Sequence, residues 1–426
     1  MRGSVGEVLL AFLRLGLTSF GGPIAHLGYF RGELVERRKW VDDAGYGDLV
    51  ALSQFLPGPA SSQVGFGLGW LRAGPLGALA AFAAFTAPSA VIMVAVASGA
   101  SLFDGPVGGG IVAGLSVVAV AVVAQAVWGM ARNLTPDRQR AGIAVVAAIG
   151  VLLVSGPLAQ VGVIVVGALA GLLLCRDPAP SAVPPAATSV GVADGRGAAG
   201  GVAKGGVAEA GAGTAEGGLR IPVGRVTGWV CLGVFGVLLV GLPVLASATG
   251  WGWLQLFDAF YRSGALVFGG GHVVLPLLEA GVVDPGWVSA DTFVAGYGAA
   301  QALPGPLFSF AAYLGALSTV GPGGIAGAAI ALAGIFLPGF LLLVGVLPLW
   351  NAFSRRRWAT ALVRGANAAV VGLLAAALYD PVFVSAVTGP ASFCLALLCF
   401  VLLTAWRAPA WAVVLLGAAG GLVLGL

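Results

Sequence analysis

The chain carries the helix-breaking pattern Gln-x-Leu-Pro-Gly-Pro twice, as Gln54-Phe55-Leu56-Pro57-Gly58-Pro59 and as Gln301-Ala302-Leu303-Pro304-Gly305-Pro306, each inside an apolar stretch. A second pair accompanies it. Ala11-Phe12-Leu13-Arg14, Gly16 and Phe20-Gly21-Gly22-Pro23 align without gaps to Ala259-Phe260-Tyr261-Arg262, Gly264 and Phe268-Gly269-Gly270-Gly271, again about 250 residues on. Proline and glycine inside a lipid-length segment free backbone groups that only protein or a water-filled cavity can satisfy. Interrupted segments in corresponding halves of a duplicated chain point to a transport site.

A mean hydropathy of +1.00 and 9% charged residues fall far from a soluble domain, in which about 25% are charged. The apolar runs are long and rich in Ala, Leu, Val and Gly, without strand-like alternation, so helices rather than a barrel must satisfy the backbone. The expected class is an all-α polytopic membrane protein. The net charge of +4 comes from basic residues beside apolar segments, which fits orientation in a bilayer and argues against nucleic acid as a partner. Cys175, Cys231, Cys394 and Cys399 show no metal-ligand spacing, and neither a metal, a cofactor nor a disulfide framework is expected. The first apolar segment lacks a cleavage signature and is expected to remain in the mature chain.

A Pro/Gly/Ala-rich stretch over 176–225 reads as a cytoplasmic linker between a first repeat, 1–175, and a second, 226–426. Apolar segments are expected near 5–30, 44–70, 75–99, 108–131, 141–155 and 158–174. After the linker they fall near 226–248, 252–282, 292–317, 322–349, 359–379, 382–404 and 409–426. The second repeat thus has one extra leading helix, 226–248. Further matched pairs extend the duplication: Trp40 with Trp287, Gly74-Pro75 with Gly321-Pro322, Pro88 with Pro338, and Gly114 with Gly365.

The loop at 31–39 holds Arg31, Arg37, Arg38 and Lys39, whereas its counterpart at 280–291 holds Asp284 and Asp291 and no base. By the positive-inside rule the two loops face opposite sides of the membrane. Placing all basic loops in the cytoplasm makes the interrupted segments re-entrant hairpins and the two repeats inverted copies, with about nine full spans and four hairpins. The rival, about thirteen plain spans, sends a basic loop such as Arg132 to Arg140 to the outer face.

Proline favours the first position of a helix, so Pro59, Pro306 and Pro23 are each expected to begin a half-helix. Unpaired amides of Ala60, Ser61 and Ser62, and of Leu307, Phe308 and Ser309, then point inward with about half a unit of positive charge per helix. That arrangement suits an anion. The hydroxyls of Ser61, Ser62 and Ser309 and the carboxamides of Gln54 and Gln301 add donors, and Gly21, Gly22, Gly269, Gly270 and Gly271 permit close backbone approach. Arg14 and Arg262 occupy equivalent intramembrane positions, either raising the potential of an anion path or snorkelling and pairing with Asp48, Asp258 or a helix end. His26 and His272 each follow a glycine-rich break, as structural groups or as donors and proton relays. Asn367, beside Arg364 and Gly365, is a one-sided candidate. With Pro57, Gly58, Pro304 and Gly305 these residues complete the expected binding set.

Phe20-Gly21-Gly22-Pro23 with His26, followed by both Pro-Gly-Pro elements, resembles the signatures of the chromate ion transporter family, and the likeness spans both halves of a long-chain member. The resemblance implies export of chromate from the cytoplasm across the cell's inner membrane, resistance to chromate, and sulfate as a tetrahedral analogue that competes or exchanges. The expected partners are chromate, sulfate and the lipid bilayer, with a homodimer allowed. One departure stands out: the second copy reads Phe268-Gly269-Gly270-Gly271-His272, so Pro23 and His26 are not reproduced in register. The alternatives are oxyanion uptake or exchange on the same scaffold and a passive anion channel. An intramembrane hydrolase is disfavoured, because neither a Gly-x-Ser-Gly element nor a His-Glu-x-x-His helix is present.

Overall fold

A computed structural model describes residues 3–20, 22–99, 106–154, 157–175, 221, 223–268, 273–350 and 357–425. The body of the expected linker, with Gly21, Gly269, Gly270, Gly271 and His272, lies outside them. The regular structure in the described residues is helical, as the composition requires.

In the first repeat α1 (Val5–Thr18) is capped by Ser4, whose side chain accepts from the Glu7 amide. It stops at Ser19 and Phe20, and α2 (Gly22–Phe30) resumes and ends in a π-turn, Arg31–Arg37. Asp42 then caps α3 (Asp43–Phe55), which stops at Leu56-Pro57-Gly58-Pro59 before α4 (Ala60–Ser98). Non-helical Ala73 and Gly74 divide α4 into an arm and a longer second part. Glu7, at the start of α1, meets both Trp40 in the turn after α2 and Arg72 at the end of the first α4 arm, its Oε1 accepting from Trp40 Nε1 at 3.1 Å and from Arg72 Nη2 at 3.0 Å. The chain therefore goes in and returns twice, with Ser19-Phe20 and Pro57-Gly58-Pro59 as the tips of two hairpins. α1 has 14 residues, about 21 Å of helix, well short of a hydrocarbon core of about 30 Å.

The second repeat reuses this plan. After the single span α8 (Arg225–Thr249) come α9 (Gly252–Ala265), α10 (Val274–Leu278) with a π-turn at Glu279–Val283, and α11 (Ala290–Gln301), capped by Ser289. A turn at 302–306 leads through a 3₁₀ turn, Leu307–Ser309, into α12 (Phe310–Leu317), and α13 (Gly324–Val346) follows. The open ends again meet: the amide of Thr319 donates to the Trp287 carbonyl at 3.1 Å, and Gly252 lies against Gly321.

Seven further helices occupy the other apolar segments: α5 (Pro106–Leu134), α6 (Arg138–Leu153), α7 (Pro157–Leu174), the leading α8, α14 (Arg357–Ala377), α15 (Pro390–Thr404) and α16 (Ala410–Leu424). The segment expected at 382–404 is divided. Residues 378–386 continue the α14 span, and Gly389 starts α15 afresh. Among the described residues, five helices are long and apolar enough to cross a membrane.

The repeats exchange their last elements. α5 of the first repeat packs on α15 and α16 of the second, and α14 packs on α6 and α7 of the first. Small residues set the approach, as lipid-embedded helices require. A Cβ on Gly114 would meet the Gly417 carbonyl oxygen and one on Gly365 the Gly167 carbonyl oxygen, each at 2.2 Å. The matched pair Gly16 and Gly264 likewise abut the backbone of Phe85 and of Ile335. Between the repeats Phe66 stacks on Phe340 with centroids 4.3 Å apart.

Candidate functional site

All four hairpin tips converge, and they bond across the repeats. The Gly58 amide donates to the Val267 carbonyl at 2.7 Å, and the Gly305 amide donates to the Ser19 carbonyl at 2.9 Å. Ser19 and Val267 correspond in the repeat alignment, as do Gly58 and Gly305, so each Pro-Gly-Pro turn seats on the other repeat's first break. Both glycines have positive φ, +121° and +99°, a backbone region costly for any residue with a Cβ. Gly58 also rests on Gly339 and Gly305 on Ser89.

Beside this crossing lies a cavity of ≈ 80 Å³, several times the roughly 10–15 Å³ that one water needs. Gly22 from the first break, Gln301, Gly305 and Leu307 around the second Pro-Gly-Pro turn, and Gln125 of α5 line it. Gln301 Nε2 is buried there without a hydrogen-bond partner, a donor left to a guest. Leu307 is the first residue of its helical segment, where amides have no intrahelical acceptor.

Other expected site residues lie around or away from this cavity. Pro59 and Pro306 are the caps before their helical segments rather than the first helical residues. The Ser309 amide is not free, because the 3₁₀ turn pairs it with the Pro306 carbonyl at 2.9 Å. Ala60, Ser61 and Ser62 precede the amide of Gln63, the first of α4 to find a carbonyl, that of Pro59. Ser61 and Ser62 are buried; Ser61 Oγ lies 3.4 Å from Nδ1 of buried His26, while Ser62 Oγ and His26 Nε2 have no partner. Pro23 sits in the first turn of α2, Pro304 is buried in its turn, and Asn367 holds a buried, unpartnered Oδ1. Gln54, unlike Gln301, is exposed.

The matched arginines part company. Arg262 forms an ion pair with buried Asp258 at 2.7 Å, the pairing alternative, whereas Arg14 is exposed and has Leu10 where the second repeat has Asp258. Neither lines the cavity.

Two glutamines here are absent from the sequence-derived set. Gln63 is fully buried and its Nε2 donates to the carbonyls of Pro57, at 3.0 Å, and Gly339, at 2.9 Å, clamping the turn to the other repeat. Gln125 sits in an apolar span, and its Nε2 donates to the Leu403 carbonyl at 3.3 Å. A polar amide within a membrane helix was the available signal; neither has a counterpart, Phe310 and Ala376 standing at the matched positions.

A family model described as "Chromate transporter" matches residues 6–172 and 254–422, one block per repeat. The chain is 27% identical to a "Chromate transport protein" of Pseudomonas aeruginosa, over 88% of this chain and 81% of that one. It is 26% identical to a "Probable chromate transport protein" of Synechococcus elongatus, over 88% and 84%. No solved structure matches it significantly.

Proposed function

The chain belongs to the chromate transporter family, and from that premise we propose that it carries chromate out of the cytoplasm across the inner membrane, conferring resistance. One observation carries the reading: the cavity is built from the interrupted segments of both repeats and holds the unpartnered donor Gln301 Nε2. We further propose that the repeats are inverted. Hairpins whose tips meet in the protein interior, one set bearing Arg31, Arg37, Arg38, Lys39 and Arg72 at its open end and the other Asp284 and Asp291, support opposite entry sides. Each negative charge leaving a negative interior gains about 2.3 kcal/mol per 100 mV, sufficient to drive export without a coupling ion.

Inverted vesicles from cells expressing the chain test the reading. Chromate should accumulate in them under an inside-positive potential and not in vesicles lacking the protein. Absence of accumulation overturns export; accumulation that ignores potential and follows a pH gradient replaces the driving force with proton antiport.

A further inference from the structure

Among the described residues the cavity is lined by Gly22, Ala300, Leu303, Gly305 and Leu307 with Val122, Ala410 and the carboxamides of Gln125 and Gln301, none of which carries a charge. Arg262 is committed to Asp258 and Arg14 is exposed, so neither supplies a counter-ion there. The cost of taking an ion from water into such a place grows with the square of its charge, so a dianion faces about four times the penalty of a monoanion.

The carboxamides add a second, independent constraint. The partner of Gln125 is a carbonyl, which only accepts, so the group donating to it must be Nε2. That fixes the orientation of the side chain and leaves Oε1 as a spare acceptor on a residue that lines the cavity. Gln301 offers the complement, an unpaired Nε2 donor. A bare tetrahedral dianion has no hydrogen to give Gln125 Oε1 and would be repelled by it. A tetrahedral anion bearing one hydroxyl satisfies both amides.

Resting on the transport reading above, we propose that the cavity accepts the singly protonated monoanion, hydrogen chromate, with its O–H donated to Gln125 Oε1 and an unprotonated oxygen accepting from Gln301 Nε2. Gln125 is then a specificity-determining residue. Chromate takes up a single proton near neutral pH to give the monoanion, whereas sulfate remains a dianion at any physiological pH; the site would separate two ions that share size and shape.

Among the described residues, no titratable group lines the cavity. The elements packed on α5 and α11 bring Asp291 and Tyr297 from α11 itself, Glu279 from the π-turn before it, Tyr313 from α12, Arg364 from α14, Tyr379 and Asp380 from the turn that follows it, and Cys394 and Cys399 from α15, and none of them is a lining residue. His26 faces Ser61. A dependence on pH at this site is therefore assigned to the substrate.

The test is chromate flux in proteoliposomes of the full chain at pH 6 and pH 8, with sulfate as competitor. KM in total chromate should rise with pH, by about tenfold per unit above the second ionisation of chromate, while kcat holds. Sulfate equimolar with chromate should lower the flux less than about twofold. Gln125→Met should raise KM at pH 6 by about tenfold, the loss of one hydrogen bond to a charged guest, and shrink the difference between the two pH values. Equal KM at both pH values, sulfate competing as well as chromate, or a Gln125→Met protein with the wild-type pH profile overturns the assignment. Wild-type liposomes without saturable chromate flux at either pH overturn the transport reading itself, a different result from flux that ignores protonation.

Discussion

The amide of Gly58 donates to the carbonyl oxygen of Val267 at 2.7 Å, joining the Pro-Gly-Pro turn of one repeat to the first break of the other. Its mate, Gly305 to Ser19, closes the same contact in the opposite sense. A broken helix leaves amides and carbonyls without intrahelical partners, and here two of those deficits cancel between repeats. Polar backbone at the remaining positions is then free to face the cavity.

Alanine at either glycine should be damaging, and unequally. Positive φ alone costs about 1–2 kcal/mol for a residue with a Cβ. At Gly58 the new methyl would lie 3.0 Å from the Gly339 backbone, which cannot turn away; at Gly305 its nearest neighbour is the Ser89 hydroxyl at 2.9 Å, which can. Thermal unfolding in detergent should rank Gly58→Ala below Gly305→Ala, and both below wild type, with chromate flux following the same order.

Gln54 and Gln301 share a motif but not a role. Gln301→Leu removes the donor facing the cavity and should lower kcat/KM for chromate by about tenfold or more, whereas Gln54→Leu, at an exposed position, should leave flux within about twofold of wild type. Equal losses in transport assays would return Gln54 to the site.

Asp258 and Arg262 form a structural pair. Asp258→Leu strands Arg262 and should cost about 1–3 kcal/mol, less than a fully buried pair because the arginine side chain is 36% exposed. The double variant Asp258→Leu/Arg262→Leu should recover most of it. A thermodynamic cycle measured by detergent-phase unfolding reads the coupling directly; Arg14→Leu, with no such partner at Leu10, should lie outside it.

Cysteine placed at Lys39 and at Asp284 should react with a membrane-impermeant reagent from opposite faces of oriented vesicles. Labelling of both from one face would refute the inverted arrangement.

The interruptions were readable because proline and glycine act locally, whatever surrounds them: Pro57-Gly58-Pro59 and Ala73-Gly74 break helices for reasons contained in a few residues. The pairing of Gly58 with Val267 was not readable, since it joins residues far apart in the chain whose meeting depends on the whole assembly. Duplication guided the eye well at Gly16, Gly114 and Gly365. It misled at Gln54 and at Arg14, where a repeated residue type sits in an unrepeated environment, and it hid Gln63 and Gln125, polar residues present in one repeat only. Sequence identity between repeats reported the scaffold and not the surroundings of each residue.

Because α5 docks on α15 and α16 while α14 docks on α6 and α7, each repeat completes its partner's wall, not its own. A chain severed anywhere within 176–220 would still be held together by those crossed embraces, as two fragments with complementary gaps. Neither fragment, made alone, would possess a surface fit for lipid along the groove where the other belongs.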